Sequence, residues 1–288
     1  MQLSYFLQLL LNGTVAGLGY ALIAIGWTIL LGMARLVNFA HGTMYMLAAF
    51  VTWYLMRMQG FEYLPAILVS CLVLAVLCIV MQHMMARQIQ TQDLTSIMII
   101  TLGISYILTG AAGLFFGGTP QNIASPLRAL RLTVGDVRLT GLDLTIILVT
   151  LIIYAAVWLV LRRSRIGAAM RALAEDGKLA QLYGINPALL LGGIFAFEGA
   201  SVALAAGLIA PRAPILTTMG FQEVILTFVI VVIGGIGSVP GALVAGLAIG
   251  IFISFFSALV SSAFALSAVF ATLLVFLVAR PSGFGKGI

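Results

Sequence analysis

Apolar runs about as long as a bilayer is thick recur along the whole chain, and they limit what it can fold into more than any other feature. They occupy residues 5–31, 37–56, 64–85, 94–116, 144–161, 188–210, 223–233, 242–259 and 263–279. A helix needs roughly 20 apolar residues to cross the hydrocarbon core. Only 8% of the chain is charged and 62% is hydrophobic, whereas a soluble domain carries about 25% charged residues. The bilayer is therefore the natural solvent. Within it, helices satisfy their own backbone groups. The expected fold class is all-α and polytopic, a single transmembrane domain over residues 1–288, with eight or nine spans that leave no length for a separate soluble unit. The uncertainty of one span comes from the short run 223–233. It stops at a glycine-rich stretch containing Gly234, Gly235, Gly237 and Gly241, so it reads either as a tilted span or as a half-helix broken there. These four glycines and Gly42 are expected to be structural.

Smaller features follow the same frame. No Lys or Arg precedes Arg35, and a secretory signal wants a cationic start, so the first run is expected to be an uncleaved span. Gly13 and Gly17 form a small-xxx-small pair suited to close helix contact. Cys71 and Cys78, seven apart on one predicted helix, stand about 10 Å apart along its axis. That exceeds the roughly 7 Å between Cα atoms that a disulfide tolerates. The alternation around Gly135 and Asp136 predicts a small hairpin.

Charge is concentrated in residues 162–187, which hold seven of the 22 charged residues: Arg162, Arg163, Arg165, Arg171, Glu175, Asp176 and Lys178. Ile166, Met170, Leu173, Ala174 and Leu179 recur at helical steps, and Arg171 and Glu175 are four apart. This spacing predicts an amphipathic helix on the membrane surface, broken at Gly177. Asn186 and Pro187 then open the next span. Loops rich in Lys and Arg stay cytoplasmic. With 162–187 inside, the turns carrying Arg35 and Arg87 are also inside. The loops 57–63, 117–143 and 211–222 and the N-terminus are then periplasmic. Arg280 and Lys286 favour an inner C-terminus. Basic residues confined to short loops call for no nucleic-acid partner. The segment itself reads either as a docking surface or as a plain surface loop obeying the charge rule.

An internal energy source is missing from the sequence. It has no GxxxxGK[ST] phosphate loop, no paired buried acids and no arginine-rich voltage sensor. Its two histidines, His41 and His83, fall on different predicted helices, so no metal site is expected. Two polar features lie within spans. Glu198 sits mid-span, where a carboxyl either serves the solute pathway or is protonated or bonded as a structural group. Asn38, His41 and Thr43 open the second span, as pathway contacts or as packing and capping groups. Glu223 and Arg212 at the outer edge read as snorkelling to water.

Three co-linear motifs resemble those of a known family. They are Asn38-Phe39-Ala40-His41-Gly42, then Gly167 to Asp176 continuing to Gly184-Ile185-Asn186, then 234–241. The residues Ala21 to Gly26 fit as well. The chain is similar, over nearly its whole length, to the membrane permeases of branched-chain amino acid ABC importers, LivH type. The resemblance implies a bacterial inner-membrane subunit paired with a second, related permease. It implies two cytoplasmic ATPases that hold ATP and Mg, so that this chain carries no cofactor and is no enzyme. It further implies a periplasmic binding protein that delivers the solute. Residues 162–187 would be the cytoplasmic coupling loop, with Arg171, Ala174, Glu175, Asp176, Gly184, Ile185 and Asn186 at the matching positions. Thr43 departs from the family, many members of which carry Glu there, and relatives move urea, amides or other small solutes. The expected function is therefore import of branched-chain amino acids or a related small polar solute. An ion-gradient-driven transporter and a passive channel are the alternatives.

Overall fold

The protein is described from a computed structural model covering residues 2–91, 93–280 and 283–284. Its helices are α1 (Gln2–Ile29), α2 (His41–Met58), α3 (Tyr63–Met84), α4 (Ala86–Gln90), α5 (Leu94–Phe116), α6 (Gly141–Arg163), α7 (Arg165–Glu175), α8 (Gly177–Leu182), α9 (Pro187–Ile209), α10 (Met219–Gly234), α11 (Val239–Leu259) and α12 (Ala265–Ala279). A π-helical turn, Leu30–Ala34, extends α1. The predicted hairpin is present as β1 (Arg131–Val134) and β2 (Val137–Thr140), with Val134 paired to Val137 around the Gly135–Asp136 turn. Among the described residues, six helices are long and apolar enough to cross a bilayer, and α10 and α12 are shorter apolar helices. With the 18-residue α2, these correspond one for one to the nine apolar runs of the sequence.

Helix α1 is the axis of the bundle. Residues Ala21 to Ile25 have no exposed surface, and α1 packs against α11, α9, α10 and α6. Apolar burial drives little of this in lipid, so close backbone contact matters instead. Gly13 and Gly17 supply it. A Cβ on Gly17 would stand 2.6 Å from the Gly246 carbonyl oxygen, and one on Gly13 would stand 2.7 Å from the Ile251 Cα. Helices α3 and α9 pair in the same way, with Gly207 set against Ile67.

Hydrogen bonds sort the loops into two ends. At one end Gln8 and the Arg138 backbone exchange bonds of 3.1 and 2.7 Å. Gln121 pairs with Ile215, Arg128 donates to the Pro211 carbonyl at 2.8 Å, and Arg212 lies 3.4 Å from Asp143. At the other end α7 packs on Leu30–Ala34, Gly32 abuts Gly237, and Phe284 N–H donates to the Ile233 carbonyl. The chain beyond α12, with Arg280, therefore lies at the same end as α7. Lys286 lies outside the described residues.

Two helices begin inside the bundle, and this corrects the expected boundaries of the second span. Residues 37–40 are not helical. Arg35 adopts a left-handed conformation (φ 54°) that stops the π turn, and the chain folds back before α2 starts at His41. Irregular backbone survives at membrane depth only where it is covered and bonded. Here Phe39 N–H donates to Thr101 Oγ1 and Ala40 N–H to Asn38 Oδ1. His41 reaches the Ile23 carbonyl, and Asn38 reaches Glu198, at the middle of α9. The N-terminus of α2 is thus near mid-depth. Helix α10 starts beside it, with the Gly220 carbonyl against Gly42. The shortness of α10 arises at this inner start. Its far end, where the break was expected, is a tight turn at the end of the bundle. There Gly235 (φ 94°) and Gly237 (φ 81°) take positive φ, Gly234 and Gly241 touch, and Ser238 caps α11.

Candidate functional site

Two places combine polar chemistry with unusual backbone. The first is the mid-depth start of α2. Asn38, His41 and Glu198 are each at most 1% exposed. Glu198 Oε1 accepts from Asn38 Nδ2 at 3.1 Å and lies 2.9 Å from His41 Nδ1. His41 Nε2 faces the Ile23 carbonyl oxygen at 3.2 Å. Trp27 stacks on the imidazole with centroids 5.2 Å apart. The Trp27 Nε1 and Glu198 Oε2 atoms are buried without a protein partner. The positive end of the α2 dipole points at this place, which favours a carboxyl group there.

Of the four polar residues read from the sequence as pathway candidates, the structure joins these three and separates Thr43. That hydroxyl lies 2.5 Å from Ser105 Oγ on α5. Sequence reasoning passed over Trp27, Thr101 and Ser105. No pattern links Trp27 to His41, and hydroxyls in apolar helices usually bond their own backbone, as Thr28 does here with Ala24.

The second place is the α7–α8 segment. Ser164 caps α7 by accepting from Gly167 N–H, and Gly167 sits so close to the last turn of α6 that a Cβ would meet the Leu161 and Val160 carbonyls. The Arg171 guanidinium donates to the Leu161 carbonyl, as suits a cation at a helix C-terminus. The helix breaks at Asp176 and not at Gly177. Asp176 is extended (φ −147°, ψ 101°), and its carboxylate accepts from Leu179 N–H at 3.0 Å, starting α8 in the manner of an N-cap. Gly184 has φ 81°, a conformation that side chains resist. Asn186 caps α9, accepting from the Ala188 and Leu189 amides.

Glu175, Asp176, Gly184 and Asn186 are exposed, Ala174 and Ile185 half-buried. Leu182 and Tyr183 are 83% and 81% exposed, at a bend between helices and not along a span.

A bundle of apolar helices with a broken helix at its centre and one amphipathic segment at an end defines a multi-pass membrane protein. The chain belongs to the branched-chain amino acid transport permease family: the family described as "Branched-chain amino acid transport system / permease component" matches residues 9–279. It is 30% identical to the high-affinity branched-chain amino acid transport system permease protein BraD of Pseudomonas aeruginosa, covering 98% of this chain and 96% of the relative. It is 31% identical, with the same coverage, to the LivH permease protein of Escherichia coli K12. A probable LivH permease of Methanocaldococcus jannaschii is 26% identical over 84% of this chain and 78% of its own length. No solved structure matches it.

Proposed function

We propose that this chain is a transmembrane subunit of an ATP-driven importer and carries branched-chain amino acids or a related small polar solute across a bacterial inner membrane. Its full-length kinship with permeases named for branched-chain amino acids supports the substrate class. The observation that carries the mechanism is the α7–α8 segment, a short stretch that holds exposed Leu182 and Tyr183 together with exposed Glu175 and Asp176. That surface fits a cleft on a cytoplasmic ATPase subunit. Two such subunits would bind ATP and Mg, and this chain would hold no cofactor and catalyse no hydrolysis. A second, homologous permease would complete the pathway and a periplasmic binding protein would supply the solute. In this orientation the N-terminus and the hairpin are periplasmic.

Coupling falls on Ala174, Glu175, Asp176, Gly184, Ile185 and Asn186. Arg171 supports them from behind by holding α7 against the end of α6. Closure of the ATPase dimer pushes α7 and, through Leu30–Ala34, the end of α1. The bundle then shifts between inward and outward openings as packed bodies do.

The test is leucine uptake into proteoliposomes holding the permease pair and both ATPases, with the binding protein present. Uptake is expected to need ATP and to disappear when this chain is omitted. Uptake that persists without ATPases and collapses with an uncoupler would indicate an ion-driven transporter. Flux through this chain alone would indicate a channel.

A further inference from the structure

We infer that Asn38, His41 and Glu198 are a proton-sharing strap that fixes the start of α2 against α9 at mid-depth, and that they act by positioning this break and not by touching solute. The inference deepens the permease reading, on which only its transport arm rests.

The proton count follows from geometry. His41 Nε2 faces the Ile23 carbonyl oxygen, which can only accept, so Nε2 carries a hydrogen. His41 Nδ1 faces Glu198 Oε1 at 2.9 Å, and two lone pairs at that distance would repel. One proton therefore lies between Nδ1 and Oε1, and with Oε2 bare the pair is neutral as a unit whichever atom holds it. Asn38 Nδ2 donates to the same oxygen, and Asn38 Oδ1 accepts from Ala40 N–H, closing the turn into α2. The strap thus links α1 at Ile23, the irregular residues 38–40, the first residue of α2 and the middle of α9. All three side chains are at most 1% exposed, and Trp27 covers the imidazole, so a solute has no face of the strap to bind. Glu198→Gln cannot reproduce it: an amide oxygen in the place of Oε1 accepts from Asn38 but faces the bare Nδ1 of a neutral His41 whose hydrogen is on Nε2, and an amide NH2 there donates to Nδ1 but meets the Asn38 NH2.

The chain has two histidines, so His83→Asn leaves His41 as the single imidazole. His83 is exposed and bonds its own helix, at the Ile79 carbonyl. Nitrogen-15 NMR of histidine-labelled H83N protein in nanodiscs then reads His41 directly. The expected spectrum has Nε2 protonated and Nδ1 in one strong hydrogen bond, with the Nδ1 signal moved by Glu198→Gln. An unprotonated Nε2, an averaged two-tautomer imidazole, or an Nδ1 signal indifferent to Glu198→Gln would overturn the strap. In reconstituted importer, Glu198→Gln is expected to lower turnover about tenfold, the cost of leaving one buried polar group unpaired, with KM for leucine held within about twofold. Glu198→Asp is expected to recover part of that turnover. A raised KM at preserved turnover, or no change in either, would contradict positioning. The NMR arm needs no transport and stands apart from any failure of the permease reading.

Discussion

Gly42 has no room for a methyl group. A Cβ there would run into the Gly220 carbonyl and approach Val224 Cβ to 2.8 Å, at the one point where two helices start side by side inside the bundle. Gly42→Ala is expected to destabilise the protein by about 1–3 kcal/mol, the usual cost of overpacking. Gly103 meets nothing within 4 Å. There Gly→Ala is expected to leave stability unchanged or raised by about 0.5–1 kcal/mol. Denaturant unfolding in detergent compares the two. At this scale the sequence was legible where chemistry is dear in lipid: a lone mid-span Glu198 draws notice by itself. Asn38 and His41 draw notice too, as polar residues opening the second span, but their pairing with Glu198 does not, because they stand 160 and 157 positions away and meet it only through tertiary packing. Trp27 was invisible for the same reason.

Helices were read from runs of apolar residues, and nine runs became nine helices because length and hydropathy alone set a span in lipid. Where an element starts depends on other forces. Residues 37–40 are apolar enough to prolong α2, yet Arg35 turns the chain back and Thr101 and Asn38 bond the freed amides. Likewise Gly177 drew the expected helix break, but Asp176 makes it, since its carboxylate can start α8. The start of α9 was correctly legible because Asn-Pro is a local signal for a cap and first turn. Asn186→Ala is expected to loosen that turn by about 1 kcal/mol. Hydrogen exchange at the Ala188 and Leu189 amides should then speed up about fivefold; unchanged protection would show that the cap carries no weight.

Taken whole, the molecule has a polar break at its centre and a distinct set of polar groups at each end. The centre is a neutral polar strap beneath a helix start. One end carries the hairpin, with Arg212 close to Asp143. The other carries α7, α8, the 234–241 turn and Arg280. Helix α7 packs on Leu30–Ala34 at the end of α1, and the strap joins α1 to α2 and α9. In the proposed mechanism this surface segment is where ATP hydrolysis is converted into helix movement. It is tested most directly by the number of leucine molecules moved per ATP hydrolysed in reconstituted importer carrying Glu175→Ala or Gly184→Val. The predicted result is normal membrane insertion, with only the turn after α8 distorted in Gly184→Val, and that ratio, or ATPase association, reduced about tenfold, as for a central interface residue. Normal ATPase association together with a normal ratio in both variants would contradict it.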